Sequence, residues 1–144
     1  MIVGGFEFPD DLLVLCEHDV WARPHADGTA TVGITSLGVR LSGEVYMCRP
    51  RPPGTVVQQG RSVAVVELAK SIVSVKSPVG GTVVATNAEL ALRPELVHED
   101  PYGGGWIARV ALEQPDDPTV GLLRGEDLAR AITLRLALER LDSP

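Results

Sequence analysis

Short runs of β-branched residues, separated by turn residues, fill the centre of the chain. The four runs are 55–57, 63–66, 72–75 and 83–84. Strands this short, with Gly and Pro between them, predict a β-sandwich or barrel. Residues 20–23 and 29–35 predict one more hairpin, with Asp27-Gly28 as its turn. The expected fold is mainly β, a barrel-like β-sandwich in a single domain over residues 1–144.

Helical periodicity is confined to the flanks of this β region. In residues 126–141 the apolar positions recur at spacings of three, four and seven: Leu128, Ala131, Ile132, Leu134, Ala137, Leu138 and Leu141. Arg130, Arg135, Glu139 and Arg140 fall largely between them, which predicts an amphipathic C-terminal helix packed on the sheet as a lid. Short helical turns are predicted at 37–42 and 88–92.

Composition excludes several classes of function. The formal net charge of −6 argues against a nucleic-acid partner, because phosphate binding needs clustered cations. No apolar run is long enough to cross a bilayer, and residues 1–5 lack the start of a secretory signal. Two cysteines are too few for a disulfide framework. We therefore expect a cytoplasmic protein with no membrane partner.

The basic residues are unevenly divided, and this points to a modification site. Eleven are arginines, and the two lysines are Lys70 and Lys76. Runs 63–67 and 72–76 predict a hairpin over residues 63–76, and with no Gly or Asn at 68–71 a four-residue loop around a type I turn is expected. Lys70 would project from its tip, whereas Lys76 would lie along a strand as an edge charge. An accessible amine can be acylated, so Lys70 is the candidate for covalent modification.

A short internal repeat supports the same position. Gly54-Thr55-Val56-Val57 recurs as Gly81-Thr82-Val83-Val84, and the midpoint between the copies is position 69. This spacing predicts two similar halves related by an approximate two-fold axis, with the Lys70 hairpin at their junction.

Longer stretches of the chain carry a family resemblance. They are residues 27–35, 65–71, 77–81 and 94–106, within a similarity that runs without gaps from Trp21 to about Val110. These segments closely resemble the H protein of the glycine cleavage system. That family has a barrel-like β-sandwich of the lipoyl/biotinyl carrier type with flanking short helices, and carries lipoic acid as an amide on a hairpin lysine.

The resemblance implies a covalent carrier component of a multi-enzyme system rather than an enzyme. It places lipoic acid on Lys70, with Glu67, Ala69, Ser71 and Ser74 as the surrounding hairpin and arm cleft. The implied partners are a lipoate ligase or lipoyl transferase, dihydrolipoamide dehydrogenase-like enzymes, and either glycine cleavage or heterodisulfide-reductase-like enzymes. No catalytic residue and no metal site is expected in the carrier.

The sequence departs from the family at positions associated with the arm cleft. Where H proteins have a Glu before the matched tryptophan and an Asp four residues beyond the lysine, this chain has Val20 and Ser74. An aminomethyl cargo is cationic and would lose its counter-charges. Glu17 or Glu44 could replace them. The segment 47–53, which matches an acidic stretch, carries Arg49 and Arg51 instead.

These departures favour a specialised lipoate-binding protein of a heterodisulfide-reductase-like sulfur-oxidation system. The alternative is an H protein carrying aminomethyl groups in glycine cleavage. A biotin carrier is disfavoured because Leu68-Ala69-Lys70-Ser71 lacks the flanking methionines of that motif. An interaction module that has lost its modification is disfavoured by the intact context of Lys70.

Other features indicate structure rather than chemistry. Gly103-Gly104-Gly105 lacks the ending of a phosphate loop and predicts a tight turn before Trp106. Cys16, Cys48 and the histidines do not have the spacing of a zinc site. Cys48 is next to Arg49, so a lowered thiol pKa and a buried inert thiol are both considered, and the second is favoured. Trp21 and Trp106 are expected in the core.

Overall fold

The fold consists of short antiparallel strands and three helices. A computed structural model describes residues 1–116 and 120–142. The strands are β1 (Ile2–Val3), β2 (Phe6–Glu7), β3 (Leu13–Leu15), β4 (Val20–Pro24), β5 (Thr29–Ile34), β6 (Met47–Pro50), β7 (Val56–Val57), β8 (Ser62–Glu67), β9 (Ile72–Lys76), β10 (Gly81–Thr86) and β11 (Ala108–Leu112). The helices are α1 (Ser36–Ser42), α2 (Leu96–Glu99) and α3 (Gly125–Asp142), with a 3₁₀ turn at Ala88–Ala91.

The strands form two main sheets and a small N-terminal ribbon. The larger sheet has the order β3-β4-β5-β11-β10-β7, the smaller has the order β6-β8-β9, and β1 pairs with β2. All pairings in the described residues are antiparallel. The predicted hairpin at 20–23 and 29–35 is confirmed as β4 and β5, and the helical turns predicted at 37–42 and 88–92 are confirmed as α1 and the 3₁₀ turn.

The two main sheets pack face to face, as the mainly β pattern predicted. One buried cluster contains Ala22, Val32 and Val110 from the larger sheet together with Val66 and Val75 from the smaller. Two sheets that share one apolar core form a sandwich. The end strands of the two sheets do not pair with each other in the described part of the chain, so the barrel-like character does not extend to closure.

A second core lies on the opposite face of the larger sheet. Alternate residues enter the two cores: Val20 and Ala22 enter the first, and Trp21, between them, enters the second. Helix α3 covers the second core with Leu128 and Ile132, which are 2% and 1% exposed. The sandwich therefore has a third layer, and the first three residues of β4 are buried on both faces.

The C-terminal helix is confirmed, but part of its predicted apolar stripe is wrong. Leu134 and Leu138 are 62% and 52% exposed. The side chains that face the core are Leu128 and Ile132, with partly buried Ala129 and Leu136 beside them. The predicted member Leu141 lies outside the residues whose side chains are described. None of the described helices is long and apolar enough to cross a membrane.

The internal repeat corresponds to a real pairing. Gly81 is opposite Val57 and Thr82 is opposite Val56, so the two copies lie antiparallel to each other across β10 and β7. The pairing continues through the amide of Val83, which donates to Thr55 O at 2.9 Å. Two equal segments paired in this way are related by a local two-fold axis, and the similarity of two whole halves stays a prediction. The β8–β9 hairpin is the chain that connects them.

Polar side chains fix where the short helices begin. Thr35 caps α1 by accepting from the amide of Gly38 at 3.1 Å. Asn87 accepts from the amide of Glu89, and its Nδ2 donates to Gly104 O at 2.7 Å and to Trp106 O at 2.8 Å. The glycine-rich segment is therefore a structural turn, as predicted, and Trp106 after it is partly buried.

Trp21 is fully buried and organises the second core. Its indole Nε1 donates to Ile34 O and Pro101 O, both at 3.1 Å. Gly33 on β5 is opposite Trp21, and a Cβ built there would lie 2.6 Å from the indole ring. Glycine at this position therefore leaves the space that the ring fills.

We expect Gly33→Ala to destabilise the fold, because an added methyl group overlaps the indole of Trp21. Overpacking of a filled core costs about 1–3 kcal/mol, and urea unfolding measures that loss. Gly104→Ala is the control, since a Cβ at Gly104 meets its nearest atom at 3.4 Å. Equal unfolding free energies for the two variants would contradict the assigned role of Gly33.

Candidate functional site

The β8–β9 hairpin has the loop that the sequence predicted. Glu67 is opposite Ile72 at the end of the paired region, so residues 68–71 make the connection. The amide of Leu68 donates to Ser71 O at 2.8 Å, which closes the loop. None of the four residues has a positive φ, and this excludes the two-residue primed turns.

Lys70 occupies the tip of this connection. Its side chain is exposed, as are those of Ala69 and Ser71 beside it. It makes no hydrogen bond or ion pair with the residues that the structure describes. The other lysine, Lys76, lies on the edge strand β9 and is half-buried. The hairpin therefore presents the projecting amine of Lys70 at the end of two paired strands.

A cleft of about 200 Å³ runs along the edge strand β9. Val20 and Ser74, the two positions that depart from the family pattern, both line it. The Oγ of Ser74 is buried and has no hydrogen-bond partner in the described residues. A buried hydroxyl without a partner costs roughly 1–3 kcal/mol, so this oxygen is available to a bound group.

The cleft contains one ion pair and no excess of carboxylates. Asp19 and Arg135 are its charged lining residues, with His18 beside them. Both terminal nitrogens of Arg135 donate to the carboxylate of Asp19, Nη2 to Oδ2 at 2.8 Å, and Nη1 also donates to Cys16 O at 3.0 Å. The hydrogen bond to Asp19 is the main cause of a raised pKa at Arg135. Arg135 Nε also donates to the carboxylate of Glu139 at 3.3 Å, so the Asp19 carboxylate is already paired with a cation that a second carboxylate shares.

The sequence pattern does not reveal this ion pair. It predicts that Arg135 lies on the polar face of α3, but the side chain is only 28% exposed. Asp19 has φ of +56°, a conformation that non-glycine residues rarely adopt. The sequence does not predict that Arg135 contacts Asp19, because the two residues are 116 positions apart. The carboxylates proposed as replacements, Glu17 and Glu44, do not line the cleft.

The structure separates the remaining candidate residues of the hairpin. Ala69, Lys70 and Ser71 lie at the tip and Ser74 lines the cleft. Glu67 lines a different groove, together with Ile72 and Arg49. The candidates therefore do not form one pocket around the amine of Lys70.

A cavity of about 580 Å³ lies away from the hairpin. It lies among β2, α1 and α2 and contains Glu44, His98 and Tyr102. The carboxylates in it are accompanied by Arg40 and His98, and the Tyr102 hydroxyl donates to Glu7 O at 2.6 Å. No group of three or more His, Cys, Asp or Glu suited to a metal ion occurs in residues 1–116 and 120–142. We assign no chemistry to this cavity.

Both cysteines are poor nucleophiles at neutral pH. Cys48 is buried, and its removal from water raises the pKa of its thiol to about 12. The adjacent Arg49 does not lower it. Burial, and secondarily the charge of Asp19, also raises the pKa of the half-buried Cys16. Of the two states considered for Cys48, the buried inert thiol is the one found.

Comparison with known proteins gives a consistent result. The family model described as "Glycine cleavage H-protein" matches residues 13–134. "Glycine cleavage system H protein 2" of Aquifex aeolicus is 36% identical over 138 residues, which cover 96% of this chain and 84% of that protein. "Glycine cleavage system H protein" of Salinibacter ruber is 42% identical over 109 residues, covering 76% and 86%.

A solved structure agrees with these sequence matches. The crystal structure of a glycine cleavage system H protein from Mycobacterium marinum superimposes with a TM-score of 0.74 at 29% identity. The superposition covers 86% of this chain and 98% of that one.

Because burial raises the pKa of Cys48 to about 12, roughly one thiol in ten thousand is ionised at pH 8. We expect Ellman's reagent to leave Cys48 unmodified for hours in the native Cys16→Ser variant and to modify it within minutes in denaturant. Reactivity should rise as pH approaches the raised pKa. Rapid stoichiometric labelling of the native variant at pH 8 would contradict this assignment.

Proposed function

The chain belongs to the glycine cleavage H-protein family, and on that premise we propose that Lys70 is its point of lipoyl attachment. Proteins of this family are lipoyl carriers, not enzymes, and bear lipoic acid as an amide on a lysine. The observation that carries the proposal is the exposed amine of Lys70 at the tip of the β8–β9 hairpin, without a partner in the described residues.

The residues around Lys70 fit such a group. Ala69 and Ser71 are small and exposed, so they leave the amine open to a modifying enzyme. Lys76 is half-buried on β9 and lacks this access. The cleft beside β9 offers the Ser74 hydroxyl to a group that reaches it.

The hairpin contributes position rather than catalysis. When bound, a lipoyl group supplies a dithiolane that opens to a dithiol and accepts or releases a transferred group. The paired strands β8 and β9 fix the base of the arm, so transfer between partners becomes a search within its reach at a high effective concentration. The chain needs no acid, base or metal of its own for this task.

The cargo we infer is a sulfur-bearing group, carried for a heterodisulfide-reductase-like sulfur-oxidation system. The supporting observation is the set of charged groups in the cleft: Val20 and Ser74 bring no carboxylate, and the Asp19 carboxylate is already bound by Arg135. A cationic cargo would lack a free counter-charge there. Relatives in Aquifex aeolicus carry the numbers 2 and 5, and several such proteins in one organism are compatible with specialised carriers.

A second function, the carriage of aminomethyl groups in glycine cleavage, is favoured by a different observation. Every relative reported above bears the name of that system, and the match extends over most of this chain. On this alternative the Asp19 carboxylate would have to exchange Arg135 for the cationic cargo.

The partners follow from the same proposal. A lipoate ligase or lipoyl transferase would act on Lys70, and a dihydrolipoamide dehydrogenase-like enzyme would reoxidise the arm. The remaining partners would be heterodisulfide-reductase-like enzymes for a sulfur cargo, or glycine cleavage enzymes for an aminomethyl cargo.

Lys70→Arg should abolish lipoylation, because an arginine has no acylable amine, whereas Lys76→Arg should be modified like the wild type. Intact-mass measurement after co-expression with a lipoate ligase detects the adduct. A biotin adduct would identify a biotin carrier, and an unmodified wild-type chain would favour an interaction module. An adduct retained in Lys70→Arg would overturn the assignment of Lys70.

For the cargo, we expect the lipoylated wild type to support little glycine-dependent CO₂ exchange when it is mixed with glycine decarboxylase. Ser74→Asp should raise the exchange on the order of tenfold, because it gives a cationic cargo one charged hydrogen bond. Thr133→Asp, an exposed change on α3, is the matched control and should have no effect. Robust exchange by the wild type would favour the aminomethyl function over the sulfur function.

A further inference from the structure

A groove of about 410 Å³ flanks the hairpin that bears Lys70. It is lined by residues 49–52, Val65, Glu67 and Ile72, and we call it the arginine groove. Its two cationic residues are Arg49 and Arg51, and its one acidic residue is Glu67.

Strand pairing makes the arginine groove continuous with the hairpin tip. Arg49 on β6 is opposite Val65 on β8, and Glu67 on β8 is opposite Ile72 on β9. Residues opposite each other in an antiparallel pair share a face of the sheet. Ile72 lies two residues after Lys70 and is 69% exposed, so an apolar contact surface begins beside the amine.

The arginines of the groove are not used within the chain. Neither Arg49 nor Arg51 forms an ion pair with a described residue, and Arg49 Nε donates only to the sulfur of Met47, at 2.9 Å. In contrast, Arg23, Arg109 and Arg135 each bind a carboxylate at 2.8 Å or closer. In a chain of net charge −6, two guanidinium groups are left unpaired beside the modification site.

We propose that the arginine groove is the docking surface for an acidic face of the enzyme that acylates Lys70. This inference rests on the proposed attachment at Lys70. Enzymes that act on the loaded carrier meet the far end of an extended arm. The acylating enzyme meets the bare amine, at the length of one lysine side chain, so its surface must contact the flanks of the hairpin.

The groove has the chemistry of a protein contact. Guanidinium groups bind carboxylates through paired hydrogen bonds, and Ile72 and Val65 supply apolar area between the charges and the amine. The two guanidinium groups are fewer than the clustered cations on which nucleic-acid binding rests, whereas they are enough to pair one or two carboxylates of a protein. The occupant is therefore a folded partner with carboxylates around an apolar patch.

The reaction at the docked hairpin is an acyl transfer. The Lys70 nitrogen forms an amide bond with the carbonyl carbon of an activated acyl group held by the partner. The bond from that carbon to its activating group breaks, and the amine gives its proton to solvent. The groove contacts none of these atoms and acts by positioning.

The test compares two double charge reversals that alter the net charge equally. Arg49→Glu/Arg51→Glu changes the groove, and Arg61→Glu/Arg124→Glu changes exposed arginines outside it that have no ion pair in the described residues. With purified lipoate–protein ligase at low ionic strength, we expect the groove variant to raise KM on the order of tenfold with kcat retained. The control variant should have the same KM as the wild type. Added salt should reduce the difference in KM between the groove variant and the wild type.

A second pair of variants tests the apolar contact, and a chemical probe tests the accessibility of the Lys70 amine. Ile72→Ala should raise KM, whereas Val56→Ala, which removes a 75%-exposed side chain on β7, should not. Acetylation of Lys70 by an N-hydroxysuccinimide ester should proceed equally in all variants, which shows that the amine is equally accessible in each of them. Equal KM values for the groove and control variants would overturn the proposed docking surface but not the proposed attachment at Lys70. A wild-type chain that the ligase does not modify at Lys70 overturns the proposed attachment, and this inference with it.

Discussion

The antiparallel pairing of β8 with β9 is the constraint on which the carrier function depends. It runs from Ser62 opposite Lys76 to Glu67 opposite Ile72, and it leaves residues 68–71 as a short closed connection. Val66 and Val75 anchor the two strands in the core shared with the larger sheet. The position of Lys70 is thus set by buried contacts several residues away, which allows the amine itself to remain without partners in the described structure.

Helix α3 links the stability of the fold to the shape of the cleft. Leu128 and Ile132 pack on the second core with Trp21, and three residues later along the helix Arg135 reaches Asp19. The ion pair is less than one-third exposed on both sides, so solvent screens it less than a surface pair. The same helix that covers the larger sheet therefore determines which charges line the cleft along β9.

The charges of this acidic chain are arranged in separate regions. In the cleft beside β9 Arg135 binds Asp19, while the arginine groove keeps two cations unpaired next to the hairpin. A cleft whose carboxylate is already paired suits an uncharged group, and a cationic groove suits an acidic protein face.

The local sequence pattern determined the positions of most strands and of the hairpin that carries Lys70. The short β-branched runs predicted the strands, and the position of Lys70 between 63–67 and 72–76 predicted its exposure. The repeat about position 69 predicted an approximate two-fold relation, although it did not show that β7 pairs with β10. These features depend on neighbours along the chain or on turn chemistry, which sequence records directly. The tertiary structure alone decided which face of α3 is buried, the pairing of Arg135 with Asp19, and the assembly of the arginine groove from β6, β8 and β9. Those contacts join side chains that are remote along the chain, and helical or strand periodicity does not specify which distant surface a residue meets.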